Sequence, residues 1–328
     1  MPTHQRSCAF RILSGWLLCF AFSTEAGEIA LSFDDAPTAD SAIMSGHSRT
    51  QSIIQALQSR HVSDALIFVT TSNIHQDGLK RLQQYEKAGF HFANHSHTHQ
   101  SANALALEEF TEDLQQASAK LKPFSNTLPY YRFPYLHYGK DDSAIAARQK
   151  VLQQHGYANG YVTIDTYDWY MSAALNKAKE AQLEIDFKKA EAIYVQQIWQ
   201  AIQFYDAIAI KILKRSPKHV LLLHENDTSA LFLAALIDHI HQQGWKIISA
   251  EEAYQDPIAE HFPATDFHNQ GRIAALAHAA GVPAKKLRHV AESTEYIDQL
   301  FAEKGVFTTI QSRPKQVTPS TQKNSQQE

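Results

Sequence analysis

Cysteine is almost missing from this chain: its 328 residues hold two, Cys8 and Cys19. Both fall in an N-terminal stretch where Arg6 and Arg11 precede the apolar run Ile12 to Phe22, and a polar stretch then ends in Thr24-Glu25-Ala26. That layout predicts an export signal over residues 1–26, cleaved after Ala26, and so an exported, periplasmic or secreted protein. Cleavage would leave a chain without thiols, excluding disulfides and thiolate chemistry. Long hydrophobic runs are missing too. The Ile12 to Phe22 run falls short of the ~20 apolar residues that cross a bilayer, which argues against a retained anchor and against stable membrane insertion after signal removal. Trp16-Leu17-Leu18, ahead of Cys19, lacks the small residues expected before a lipid-modified cysteine. Nor is there an excess of positive charge. A formal net charge of -4 argues against nucleic acid or an anionic membrane surface as the main partner. No internal repeat is visible.

What is present reads as globular: 44% of residues are hydrophobic and 20% charged, enough to bury one large core or two modest ones. The chain is organised around Ile29 to Pro37, IALSFDDAP, an apolar run that stops on two adjacent carboxylates. Further strands are expected at Leu66 to Thr70, Phe90 to Ala93, Leu128 to Phe133, Tyr161 to Ile164, His219 to Leu223 and Trp245 to Ile248. Helical patterns alternate with them, at Ile53, Ile54 and Leu57, then over Asp77 to Ala88, Leu107 to Leu121, Asp141 to His155 and Ser229 to Gln243. Residues 171–215 read as one or two inserted helices. Seven strands alternating with helices predict an α/β fold, a parallel sheet or barrel with the helices outside, over residues 27–255. After Glu251 the pattern turns to helix only, with Asp266 to Ala280 and a second segment to about Phe301. It predicts a helical extension over 256–310. Residues 311–328, rich in Gln, Ser, Thr and Lys, read as a disordered tail.

Asp34, Asp35, His95, His99, Arg132, Asp168 and His224 all fall at or just after the carboxyl ends of expected strands. In a barrel that is the face where sites are assembled. Adjacent acids at a strand end repel, and a cation, a metal or a shared proton would offset that repulsion. His95 and His99 are four apart, so a helical turn would aim both imidazoles one way, with Asp35 completing a three-ligand set. An extended segment would instead put His95, His97 and His99 on one face, and spacing alone does not choose between them. Two histidines and a carboxylate suit zinc with an open fourth position. Arg132 can hold a buried carboxylate ionised and aimed. Asp168 beside His224, which emerges from Leu221-Leu222-Leu223, makes a proton donor near neutral pH.

Together, Ser32-Phe33-Asp34-Asp35-Ala36-Pro37, His95-Ser96-His97-Thr98-His99, Arg132-Phe133-Pro134-Tyr135, Asp165-Thr166-Tyr167-Asp168-Trp169 and Leu221-Leu222-Leu223-His224 resemble, in order, the five motifs of the NodB-homology polysaccharide deacetylases, carbohydrate esterase family four. The resemblance spans about Glu28 to Ala250. It implies a distorted (β/α) barrel and a metal-dependent hydrolase that removes N-acetyl or O-acetyl groups from a glycan. It further implies Asp34 as general base and Asp35, His95 and His99 as ligands of Zn2+ or another divalent metal. Arg132 would orient Asp34, the Tyr135 N–H would help hold the oxyanion, and Asp168 would tune His224 as general acid. Trp169 and Leu222 or Leu223 would line the acetyl pocket. Ala36 stands where the family usually has Gly, Ser32 where Thr is common, and the 171–215 stretch is longer than a usual connection. The expected partner is an acetylated glycan, peptidoglycan or chitin-like. The rival readings are an O-acetyl esterase acting on a xylan-type glycan and a catalytically silent carbohydrate-binding envelope protein.

Overall fold

The computed structural model describes residues 26–309 apart from 264, 266 and 268. The expected export signal up to Glu25, with both cysteines, and the polar tail from Gln311 lie outside the described residues. In chain order the strands are β1 (Glu28–Ala36), β2 (Leu66–Val69), β3 (His91–Asn94), β4 (Thr127–Tyr131), β5 (Ala158–Asn159), β6 (Glu184–Ile185), β7 (Lys218–His224), β8 (Lys246–Ile248) and β9 (Phe307–Thr308). The α-helices are α1 (Gly46–Ser59), α2 (Gln76–Lys87), α3 (Leu107–Leu121), α4 (Asp142–Gln154), α5 (Asp168–Glu180), α6 (Phe187–Leu213), α7 (Asp227–Gln242), α8 (Ala250–Tyr254), α9 (Arg272–Ala279) and α10 (Thr294–Glu303). No helix among the described residues is long and apolar enough to cross a membrane.

β1 is paired on both edges and buried on both faces, and the burial of both faces is why its sequence is a nearly unbroken apolar run rather than an alternating one. One edge pairs with β7 from Glu28 to Asp34. The other is divided: Glu28 to Ala30 pair with β8, while Ser32 to Ala36 pair with β2. The sheet order β5-β4-β3-β2-β1-β7 is parallel throughout. Its two edges are drawn together by residues 160–164. Gly160 N–H donates to Tyr131 O at 2.7 Å, while Thr163 and Ile164 N–H donate to Val220 O and Leu222 N–H donates to Ile164 O. The result is a curled sheet with helices around it, a distorted (β/α) barrel, as the strand and helix alternation predicts.

Two expectations need correcting. Regular pairing in the fifth strand falls at Ala158–Asn159 rather than Tyr161 to Ile164, where Ile164 makes a single bridge to Leu221. This segment crosses from one sheet edge to the other, so it cannot run a ladder along either. Gly160 permits the crossing, because a Cβ there would stand 2.7 Å from the Phe68 ring. In the extension, regular helix begins at Arg272, while Asp266, where the expected helix starts, lies outside the described residues. The 171–215 stretch is two helices, α5 and α6, and the buried stripe Ile198, Ile202 and Tyr205 seats α6 against the core. Between those helices β6 pairs antiparallel with β9, tying insertion and extension together.

Candidate active site

The alternation of β1 puts Ser32 and Asp34 on one side of the strand. There they meet Arg132, which follows β4. The Arg132 guanidinium is fully buried and donates from Nη1 to Asp34 Oδ1 at 2.6 Å and to Ser32 Oγ at 2.9 Å. Its Nε donates to Gly160 O at 2.8 Å and Nη2 to the Tyr254 hydroxyl at 3.1 Å, and its plane lies 3.8 Å over the Phe68 ring. Burial pulls the Arg132 pKa down, but Asp34 outweighs it and the net direction is up. The Tyr254 hydroxyl donates onward to Tyr161 O, closing the cage. Tyr254 is invisible in a strand-end reading because it arrives from α8, more than a hundred residues later.

Asp35 faces elsewhere. The β1–β2 register shifts between Phe33 and Ala36, and Asp35 takes a left-handed φ of 74°, so its side chain leaves the alternation of the strand. Its Oδ1 lies 3.4 Å from His95 Nε2 and 2.9 Å from His99 Nε2. His95 Nδ1 is 2.9 Å from Arg132 O, a carbonyl that can only accept, so Nδ1 carries the proton and Nε2 turns a lone pair to the carboxylate. Asp35 Oδ1 is buried and has no hydrogen-bond partner. With His99 Nδ1 protonated toward the Tyr135 hydroxyl at 3.3 Å, its Nε2 would turn a lone pair the same way, and the three ligand atoms all lie within 4.8 Å of one another. Facing lone pairs repel unless a cation lies between them. Bonds of ~2.0–2.1 Å at tetrahedral angles separate ligand atoms by about 3.4 Å, close to the His95–Asp35 spacing. The residues therefore fit a divalent metal. Burial pushes the Asp35 pKa up, but when the imidazoles carry protons in place of a cation, hydrogen bonds from His95 and His99 and the charge on His224 hold it well below the usual carboxylate range.

The loop carrying the histidines is neither helix nor strand, which corrects both conformations expected from spacing. Ser96 and His99 have positive φ, 71° and 55°. His97 stays outside the trio, its Nδ1 2.9 Å from Thr71 Oγ1. Asp113 of α3 shapes the loop by accepting from His97 N–H at 2.7 Å, Thr98 N–H at 2.9 Å and Thr98 Oγ1 at 2.6 Å. A signal for Asp113 exists in the sequence: it is a carboxylate on the same helix face as Phe110, Leu114 and Ala117.

Across the β1–β7 ladder, Asp34 and His224 are register partners. Asp168, the first residue of α5, is fully buried and its Oδ1 accepts from His224 Nδ1 at 2.7 Å. Its Oδ2 accepts from His224 N–H and Asn226 Nδ2, each at 2.9 Å. This leaves Nε2 as the ring nitrogen turned away from Asp168. Burial lowers the His224 pKa, but Asp168 first, then Asp35 and Asp34, push it up to about 10. Leu222 lies on the His224 side of β7, packed with Leu136 and Val162, whereas Leu223 points into the main core. That separates the two leucines as pocket candidates. Tyr135, at φ 59°, is 57% exposed and sets its ring edge against His99. Trp169 is 43% exposed and leans on Tyr167 and Tyr170.

Comparison with curated proteins gave no match. Among solved structures, the chain is similar to a family 4 carbohydrate esterase pseudoenzyme from Bacillus anthracis (17% identity, 70% of this chain and 66% of that one, TM-score 0.49). It is also similar to a family 4 carbohydrate esterase from Streptomyces lividans in complex with acetate (19%, 69% and 95%, TM-score 0.46). A third is the peptidoglycan deacetylase of Bacillus subtilis (20%, 71% and 93%, TM-score 0.47). The family model described as polysaccharide deacetylase matches residues 22–160, a segment holding the Asp34-Asp35, His95–His99 and Arg132–Tyr135 motifs.

Proposed function

We propose that this chain is a metal-dependent hydrolase that removes acetyl groups from an N-acetylated polysaccharide or oligosaccharide, peptidoglycan or chitin-like, outside the cytoplasm. The observation that carries the reading is the placement of a base and an acid as register partners, Asp34 and His224, beside the Asp35, His95 and His99 trio. Zn2+ or another divalent cation held by that trio would supply Lewis-acid polarisation of the acetyl carbonyl and an acidified water.

The side chains supply the rest. Asp34 takes the proton of the attacking water. Arg132 keeps its carboxylate fixed, since Oδ1 is engaged at 2.6 Å while Oδ2 faces the site, 3.6 Å from His95 Nε2. The oxyanion that develops on the acetyl group is met by the backbone N–H of Tyr135, and one such donor is typically worth ~100-fold or more in rate. His224 then delivers a proton from Nε2 to the departing amine, with Asp168 holding the imidazole in the tautomer and orientation that this requires. Trp169 and Leu222 line the acetyl pocket, one as an exposed ring and the other as a wall with Leu136.

The test is acetate release by the purified, metal-loaded protein from chitooligosaccharides, peptidoglycan and acetylxylan, each with and without chelator. Chelator-sensitive release from an N-acetylated substrate is expected. Release from acetylxylan alone would turn the assignment to an O-acetyl esterase. A metal-loaded protein that releases acetate from none of them yet binds the glycans would be a silent binding protein.

A further inference from the structure

Directly after His224 comes Glu225, a carboxylate that the mechanism above does not use. It is fully buried. Its Oε1 and Oε2 accept from Arg81 Nη2 at 2.7 and 2.8 Å, and Oε1 also meets Thr50 Oγ1 and Tyr85 OH at 3.2 and 3.3 Å. Its Oε2 accepts from Thr38 N–H at 2.8 Å, and Thr38 Oγ1 lies 2.7 Å from Glu225 O. The Glu225 N–H donates to Asp34 O at 2.9 Å. One residue therefore holds the chain on both sides of Asp35, at Asp34 by its backbone and at Thr38 by its side chain. Arg81 strengthens the far side by donating from Nη1 to Thr38 O at 2.5 Å.

The residue caught between these points is the one in an unfavourable conformation. A non-glycine residue with left-handed φ persists only where its surroundings over-determine it. Asp35 is such a residue, with φ 74°, and that conformation is what turns its carboxylate from the strand face toward His95 and His99. Besides this clamp, Thr70 N–H, just past β2, donates to Ala36 O, and Arg49 Nη1 donates to Thr38 Oγ1 and Ala39 O, each at 2.8 Å; the Thr38 N–H itself goes to Glu225.

We infer that Glu225 is a positioning residue: by clamping Asp34 and Thr38 it forces Asp35 into the left-handed conformation that completes the metal-binding trio. The inference rests on the trio being a metal site only for its consequence; the clamp itself is a statement about the backbone. Glu225 touches neither substrate nor the trio, and its effect on turnover passes through Asp35.

The test uses two variants of the full chain. Glu225→Met with Arg81→Met replaces a buried ion pair by side chains of similar volume, an exchange that is often neutral or stabilising, while removing the acceptor for Thr38 N–H. Glu225→Asp keeps the charge for Arg81 but shortens the reach to Thr38, and serves if the double variant does not fold. Each is titrated with Co2+, and its metal-free crystal structure is determined. Expected are a melting transition as cooperative as the parent's, Co2+ affinity weakened by about 10–100-fold, an altered Co2+ d–d spectrum, and Asp35 relaxed out of the left-handed region. A folded variant with the parent's Co2+ affinity and spectrum, or one whose metal-free structure keeps Asp35 near its present φ, overturns the inference. If the parent binds no Co2+ while Asp35 still relaxes in the variants, the clamp stands and the metal reading falls.

Discussion

Asp34 and Asp35 are neighbours in sequence and opposites in environment. Asp34 is 3% exposed and its charge is answered within the chain, by an arginine that is itself caged by Ser32, Gly160, Tyr254 and the Phe68 ring. Asp35 faces the Nε2 atoms of His95 and His99 at 3.4 and 2.9 Å, and its buried oxygen has no hydrogen-bond partner. The first environment is complete as folded. The second leaves a buried carboxylate oxygen without a hydrogen-bond donor. An identical side chain is thus prepared for two tasks by backbone geometry alone, one staying on the strand face and the other turned off it.

The most drastic way to break this contrast is to delete one side at a time. His95→Ala should abolish tight metal binding, whereas Asp34→Asn should retain the metal and lose turnover by ~100-fold or more. Isothermal titration beside acetate release separates the two outcomes. Full activity in Asp34→Asn would remove the base from the scheme. Next in size is Arg132→Met, which leaves the Asp34 carboxylate buried without its cation. Such a loss should cost about 3–5 kcal/mol of stability, read by urea denaturation.

The third prediction concerns pH. In the metal-free protein burial lowers the His224 pKa, but Asp168, then Asp35 and Asp34, push it up to about 10, above its ordinary value of ~6.5. A raised folded pKa stabilises fully below the unfolded value and is lost as pH rises through the folded one. Melting temperatures in chelator should therefore decline between roughly pH 6.5 and pH 10. Asp168→Asn should flatten that decline, and a decline of equal slope in the variant would sink the assignment. The smallest effect is expected from Tyr254→Phe, which removes one hydrogen bond to Arg132 without touching its charge. A loss of about 0.5–1.5 kcal/mol in denaturation midpoints would fit, with turnover reduced only a few-fold.

The strands that carry the site were legible because a buried parallel strand announces itself as an apolar run, and a polar residue where the run stops marks its end. Asp34, Arg132 and His224 were found that way. The conformation of His95 to His99 is not legible in this way, since it depends on positive φ at Ser96 and His99 and on hydrogen bonds donated to Asp113 in a helix ten and more residues later. Spacing supplied two regular alternatives, and the loop adopts neither. The fifth strand was misplaced because a segment that serves two sheet edges does not show the apolar period of either. Tyr254 and Glu225 escaped notice for a related reason: their importance lies in what they touch across the fold. The pairing of β6 with β9 involves two residues on each strand, too few for any period to register.

That two-residue ribbon has an effect out of proportion to its size. Because β6 lies between the inserted helices and β9 among the last described residues, the middle of one addition to the barrel is stitched to the far end of the other, and Tyr170 OH donates to Asp298 between the same partners. Shortening the chain before Phe307 would free the edge of β6 and loosen the helix that begins with Asp168, the residue gripping His224. A trimmed version of this protein should therefore keep both additions or neither.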